Sequence, residues 1–151
     1  MDQTHRLVIF YNNAGSFTRY DYGLIGGSSW ALTLGDTNND GYSDIVTGGA
    51  YNDVKHLTAN GDGTYKLNTL IGPGIFVQAS GMAEVNNDGF LDAMNCHDDG
   101  PSLIRNNDGN GNLINSESTL IDLTLFSTVE DNSGNYGICW TDFDLDGDFD
   151  L

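Results

Sequence analysis

An all-β chain is what this sequence predicts, and three observations predict it. Apolar residues fall in short runs, the longest being Leu7-Val8-Ile9-Phe10-Tyr11, and helix signals are almost absent. Asp, Asn and Gly make up 56 of the 151 residues against only 2 Pro, and each of the three favours turns for its own conformational reason. The chain also repeats itself: an acidic segment beginning at Asp36 recurs 48 positions later at Glu84 and again at Asp142. Many short strands joined by tight turns accommodate all three observations.

Taken in order, Leu7 to Phe10 is a strand leading into an Asn/Gly turn at Asn12 to Phe17. A second strand ends in Thr33-Leu34-Gly35 and runs into the first acidic loop, Asp36 to Asp44, after which Ile45-Val46 resume as strand. Val54 to Thr58 leads into a second Asn/Gly turn, Asn60 to Tyr65. The series then restarts: Gly81-Met82-Ala83, the loop Glu84 to Asp92, the strand Ala93-Met94, the strand Leu103 to Arg105, and a third turn read as Asn106 to Leu113, two residues longer than the others. Cys139-Trp140-Thr141 precede the last loop, Asp142 to Asp150. Turn and loop are 24 positions apart twice, from Asn12 to Asp36 and from Asn60 to Glu84, but 36 apart from Asn106 to Asp142, so about a dozen extra residues lie within Ile114 to Tyr136.

The strand before each loop alternates large and small residues. Leu34, Met82 and Trp140 are bulky, whereas Thr33, Gly35, Gly81, Ala83, Cys139 and Thr141 are small. One bulky and one small face suit a crowded inner position where sheets converge. Four strands per unit of this length is what a β-propeller blade requires. The expected architecture is therefore four-stranded antiparallel blades, about three blades' worth in this chain, forming a partial propeller. Residues 1–151 form one repeat region: 1–30 a partial blade with its outer hairpin, 31–80 a blade, 81–136 a blade with an insertion near 114–136, and 137–151 a partial blade with its inner strands. Propellers close with roughly four to eight blades, so the expectation is either a piece of a larger chain or several copies that complete one another's blades.

The acidic loops share the pattern acid-x-(Asp/Asn)-x-Asp-Gly-x-x-Asp. Oxygen-bearing side chains at positions one, three, five and nine, a glycine at six and a backbone carbonyl at seven are built for a hard cation such as calcium, which takes roughly six to eight oxygens in flexible geometry. The predicted metal ligands are Asp36, Asn38, Asp40, Tyr42 and Asp44 in the first loop. In the second they are Glu84, Asn86, Asp88, Phe90 and Asp92, and in the third Asp142, Asp144, Asp146, Asp148 and Asp150. Eleven of the 22 acidic residues lie in these three loops. Without a cation so many carboxylates in nine residues repel one another. Magnesium demands tighter octahedral geometry, and zinc or copper prefers the His and Cys that these loops lack. Glu84 is the odd first ligand, with a longer side chain where the other loops have Asp. An EF-hand loop opens in the same way but needs an acid at position twelve and flanking helices. Thr47 and Asn95 stand there instead, followed in the first case by strand and turn residues.

Gly35 to Tyr51 resembles an FG-GAP repeat, the kind found in integrin α-chain propellers and in the related VCBS repeats of bacterial surface proteins, and Ser102 to Gly109 is similar to the VCBS strand-turn pattern. The resemblance covers the chain outside Ile114 to Tyr136. It implies a β-propeller with a calcium ion in the hairpin between the first two strands of each blade, and an extracellular or cell-surface role in adhesion or in binding a protein or carbohydrate ligand. Tyr51 departs from the proline of the family pattern, the second repeat lacks Gly-Ala after its loop, and Glu84 replaces Asp.

The remaining composition narrows the function classes. Twenty-two acidic against five basic side chains give a formal charge of -17, opposite to what binding nucleic-acid phosphates or an anionic membrane surface needs. No apolar run approaches the roughly 20 residues of a membrane-spanning helix, and no signal peptide is visible at the start. Cys96 and Cys139 allow one disulfide or two free thiols. His5, His56 and His97 are scattered, no nucleophile elbow or phosphate loop occurs, and an acid held as a calcium ligand must stay ionised, the wrong state for a proton donor. Trp30, Trp140 and the seven Tyr fit core packing better than a carbohydrate platform. The expectation is a non-enzymatic calcium-binding module. The alternatives are a structural subunit that assembles by blade complementation into a fibre or ring, and the non-catalytic propeller part of a secreted enzyme such as a polysaccharide lyase.

Overall fold

The computed structural model describes residues 6–27, 29–49, 54–70, 76–97, 102–115 and 136–151. Among them there are ten strands and no helix. Strands β1 (Arg6–Asn13) and β2 (Ser16–Leu24) pair as a two-stranded hairpin. Strands β3 (Ala31–Gly35), β4 (Asp44–Gly48), β5 (Lys55–Ala59) and β6 (Tyr65–Thr69) follow as one antiparallel sheet in sequence order. A second sheet of the same design holds β7 (Val77–Ala83), β8 (Asp92–His97), β9 (Leu103–Asn107) and β10 (Leu113–Asn115). Residues 136–151 begin the pattern again, with Thr141 bridging Asp150 as Gly35 pairs with Asp44 and Ala83 with Asp92.

The period-two alternation of each strand decides what lies between the sheets. Val46 and Ala93 point into one shared core with Ala31, Val54, Leu70, Val77 and Leu113, and Met82 packs against it. The opposite face of the first sheet, through Ile45 and Leu57, packs under Leu7 and Ile25 of the hairpin segment. The opposite face of the second sheet, through Met94, Cys96 and Ile104, packs under Ile138 and Trp140. Successive units therefore stack face to face. Cys96 is buried in the last of these layers while Cys139 is exposed, and no disulfide joins them.

The small residues of the inner strands acquire their reason here. A Cβ at Gly35 would lie 2.8 Å from the Met82 sulfur, and a Cβ at Gly81 would lie 2.9 Å from Ile138 Cγ2 and 3.1 Å from Trp140 Nε1. The small face of one unit receives the bulky face of the next. The prediction of a crowded inner strand holds for Met82 and Trp140 but not for Leu34, which is 58% exposed, because the hairpin segment covers Ile45 and Leu57 on that face without reaching it.

The third Asn/Gly turn differs from its sequence reading. Asn60 N donates to Thr64 O, and the matching bond runs from Asp108 N to Asn112 O. Asp108, not Asn106, is thus the counterpart of Asn60, and the two turns have equal length. Adjacent asparagines at 106 and 107 offer two registers; the amides of Ala59 and Asn107, both bonded to the last carboxylate of their loops, set the one the fold adopts. The first turn is tighter, with Ala14 and Gly15 both at positive φ between Asn13 and Ser16, as a two-residue hairpin connection requires. Most of the Ile114 to Tyr136 insertion, and Ala50 and Tyr51 of the family pattern, lie outside the described residues.

Candidate metal centre

Each acidic loop joins the first two strands of a unit, so its ends are held by strand pairing. The backbone between them is bent left-handed at two places. The sixth residue is glycine in all three loops, at φ of 87, 86 and 101° for Gly41, Gly89 and Gly147. The fourth residue is left-handed as well: Asn39 and Asn87 at 58° and Leu145 at 63°. Asn tolerates this region and Leu does not. The asparagines at that position were therefore a conformational signal in the sequence that went unread.

This bend aims backbone amides at side-chain oxygens. In the first loop the Asp40 amide donates to both Asp36 Oδ1 and Asn38 Oδ1 at 3.1 Å. In the second, the Asp88 amide donates to Glu84 Oε1 at 2.9 Å and Asn86 Oδ1 at 3.0 Å. In the third, the Asp146 amide donates to Asp142 Oδ1 at 3.1 Å and Asp144 Oδ1 at 3.3 Å. The first and third ligand positions thus converge on one amide three times over. The fifth-position carboxylates of Asp40, Asp88 and Asp146 accept from the amides of Tyr42, Phe90 and Asp148 at 2.8, 2.9 and 3.0 Å. In the third loop the carboxylate oxygens of Asp142, Asp144 and Asp146 lie within 4.8 Å of one another.

Glu84 reaches the same amide as the aspartates it replaces. Its longer side chain also takes the Asn86 amide at 3.2 Å, whereas Asp36 and Asp142 each accept from the sixth-position glycine, at 2.7 and 3.1 Å.

The ninth-position residues have a second task. Asp44 Oδ2 accepts from the Thr37 amide at 3.0 Å and from the Thr37 hydroxyl, while its Oδ1 accepts from the Ala59 amide at 2.8 Å. Asp92 repeats this with Val85 at 3.1 Å and Asn107 at 2.7 Å. Both side chains are fully buried. Asp150 accepts from Phe143 at 2.8 Å. Asp44 and Asp92 thereby close their loops onto the next strand, and each keeps lone-pair capacity beyond those bonds. Burial pushes the Asp92 carboxyl above the ordinary range against the pull of its two amide bonds, and the charges of Asp88 and Glu84 add to the rise.

The three loops are tied in series along one rim. Asn39 Nδ2 donates to Gly89 O of the second loop, and Asn87 Nδ2 to Asp148 Oδ1 of the third, both at 3.1 Å. Asn107 Nδ2 donates to Thr37 O at 2.7 Å and to Leu91 O at 3.1 Å, joining two loops. Sequence reasoning missed Asn39, Asn87 and Asn107 because their partners lie in other units.

The donors brought together are all oxygen, from carboxylates, amides and main chain. That set suits a hard cation and lacks the nitrogen and sulfur ligands that zinc and copper prefer. Carboxylates held this close repel unless a counter-charge intervenes, so the residues fit a bound dication.

Residues 36–95, from the first residue of one acidic loop to the strand after the next, match the family model of the FG-GAP-like repeat. No curated protein and no solved structure matches the chain significantly.

Proposed function

We propose, with the FG-GAP-like repeat over residues 36–95 as the premise, that this chain is a calcium-binding β-propeller module of the extracellular space or cell surface that binds a protein or carbohydrate ligand. The sheets β3–β6 and β7–β10 are then blades, with β3 and β7 as inner strands, and the hairpin β1–β2 and the segment 137–151 are parts of further blades. Calcium has a structural role: it clips the hairpin between the two inner strands of each blade and holds the rim of loops rigid.

The observation that carries this reading is the threefold convergence of first- and third-position oxygens on one amide, repeated at Asp40, Asp88 and Asp146. A solvated acidic turn has no reason to repeat that arrangement in phase. The loop carboxylates must stay ionised to hold a cation, so none of them is suited to donate a proton, and the module is read as non-enzymatic.

Thermal unfolding with and without calcium tests the proposal. Sites of extracellular affinity, with Kd about 10⁻⁴ M, each contribute about 1.4 kcal/mol of stability at roughly 1 mM calcium through linkage. Magnesium at the same concentration gives a smaller shift, and Asp146→Asn removes the third loop's share. An unchanged melting temperature in excess calcium would rule the reading out.

A further inference from the structure

The hydrogen bonds between loops attach beside the proposed ligands at both ends. Asn39 stands between Asn38 and Asp40, and its side-chain amide reaches the carbonyl of Gly89, which stands between Asp88 and Phe90. Asn87, between Asn86 and Asp88, reaches Asp148 of the third loop in the same way. Both donors occupy the fourth position of their loops and hold the same left-handed φ of 58°. The asparagine thus permits the bend of its own loop and pins the turn of the next.

The second loop depends on this contact more than its own composition suggests. Asp36 and Asp142 each hold the sixth-position glycine of their own loop through its amide, but Glu84 takes the Asn86 amide instead. Among the described residues, Gly89 is held from outside, by Asn39 at its carbonyl. A buried link keeps the two loops in register. Asn107 Nδ2 donates to the carbonyls of Thr37, next to Asp36, and of Leu91, next to Asp92, while the Asn107 main-chain amide takes Asp92 Oδ1. Its Oδ1 accepts from the amides of Gly109 and Gly111, so both donors and both lone pairs of the side chain are in use.

We propose that Asn39 couples the first two loops, so that a cation held in one raises the affinity of the other. The inference rests on the calcium reading above and concerns how the loops fill. A cation that fixes Asn38 and Asp40 fixes the backbone of Asn39 between them, and through its amide the Gly89 carbonyl beside two ligands of the second loop. The effect runs equally in reverse, because linkage between binding sites is reciprocal. Charge acts in the opposite sense, since a dication in one loop weakens the negative field at the next. Salt screens that opposition over about 8 Å at physiological ionic strength but leaves the bridge in place, so the coupling is positive there and grows with added salt.

Calorimetric titration of the full chain with calcium chloride, at roughly 0.15 M and 1 M salt, tests this. Every variant carries Asp146→Asn to silence the third loop. Asp88→Asn then leaves the first loop alone, and Asp40→Asn the second. The product of the two stepwise constants with both loops intact exceeds the product of the single-loop constants by about fivefold or more. Asn39→Gly keeps the left-handed backbone accessible and removes the bridging amide. In its presence the ratio falls to within about twofold of one, the scatter of independent sites. A purely structural role for Asn39 lowers the constants but leaves their ratio unchanged. A ratio of one in the parent, or one that survives Asn39→Gly, overturns the coupling while calcium binding stands. Absence of calcium binding in every variant removes the calcium reading and the coupling together.

Discussion

Replacing Gly111 with alanine, and separately Gly63, isolates the contact between one unit's turn and the preceding unit's loop. The two glycines are counterparts, at φ of +79° and +86°, so alanine meets the same left-handed backbone penalty of roughly 1–2 kcal/mol at each. Loss of the glycine's freedom in the unfolded chain offsets part of that penalty equally at both sites. The surroundings differ. At Gly111 the new Cβ sits 2.7 Å from Asn38 Cβ and 3.4 Å from its Cα, neither being the free end of a flexible side chain, and overpacking of that kind costs about 1–3 kcal/mol more. At Gly63 there is nothing within 4 Å. Expected losses are therefore about 1–2 kcal/mol for Gly63→Ala and about 2–5 kcal/mol for Gly111→Ala. Urea unfolding followed by tryptophan fluorescence, at a concentration where the monomer prevails, measures both. Equal losses to within about 0.5 kcal/mol would refute the idea that the turn seats on the loop.

Two further predictions follow from single residues. Leu145→Asn should raise stability by about 0.5–1 kcal/mol in the same assay, because Leu145 holds a left-handed φ of 63° while being 84% exposed, so asparagine relieves strain at little loss of packing. His56 is buried beside the Thr37 hydroxyl at 3.2 Å. Burial, with Lys66 adding to it and Asp44 opposing, holds its pKa below the ordinary 6.5. The unfolded chain then binds the proton more readily than the fold, so this contribution is complete above pH 6.5 and is lost as pH falls below it through the depressed folded value. Melting temperatures recorded between neutral and mildly acid pH should show that decline in the native protein and a shallower one in His56→Gln.

The candidate site was more legible than the packing around it. Position one, three and five oxygens and the sixth-position glycine act locally, within nine residues, so their spacing marks the loops, whereas the convergence on the amides of Asp40, Asp88 and Asp146 is a property of the folded backbone. The ninth position was read as a ligand alone. Its buried role toward Ala59 and Asn107 involves an amide 15 residues away, which no local spacing reports. The third turn was misread because Asn106 and Asn107 offer the same letter in two registers, and only hydrogen bonding chooses Asp108 as the counterpart of Asn60.

By itself, the sequence determined the all-β class, the repeat and the acidic loops, since alternation, turn residues and ligand spacing are properties of a few consecutive positions. The tertiary structure alone decided which faces meet. It placed Met82 on Gly35 and Trp140 on Gly81, linked the loops through Asn39, Asn87 and Asn107, and buried Arg105 against Asn95 in a chain whose charge is otherwise overwhelmingly negative. It also left Leu32 and Leu34 bare. The reason is physical: a strand's pattern says that it has an apolar side, but what covers that side is set by steric fit between units tens of residues apart.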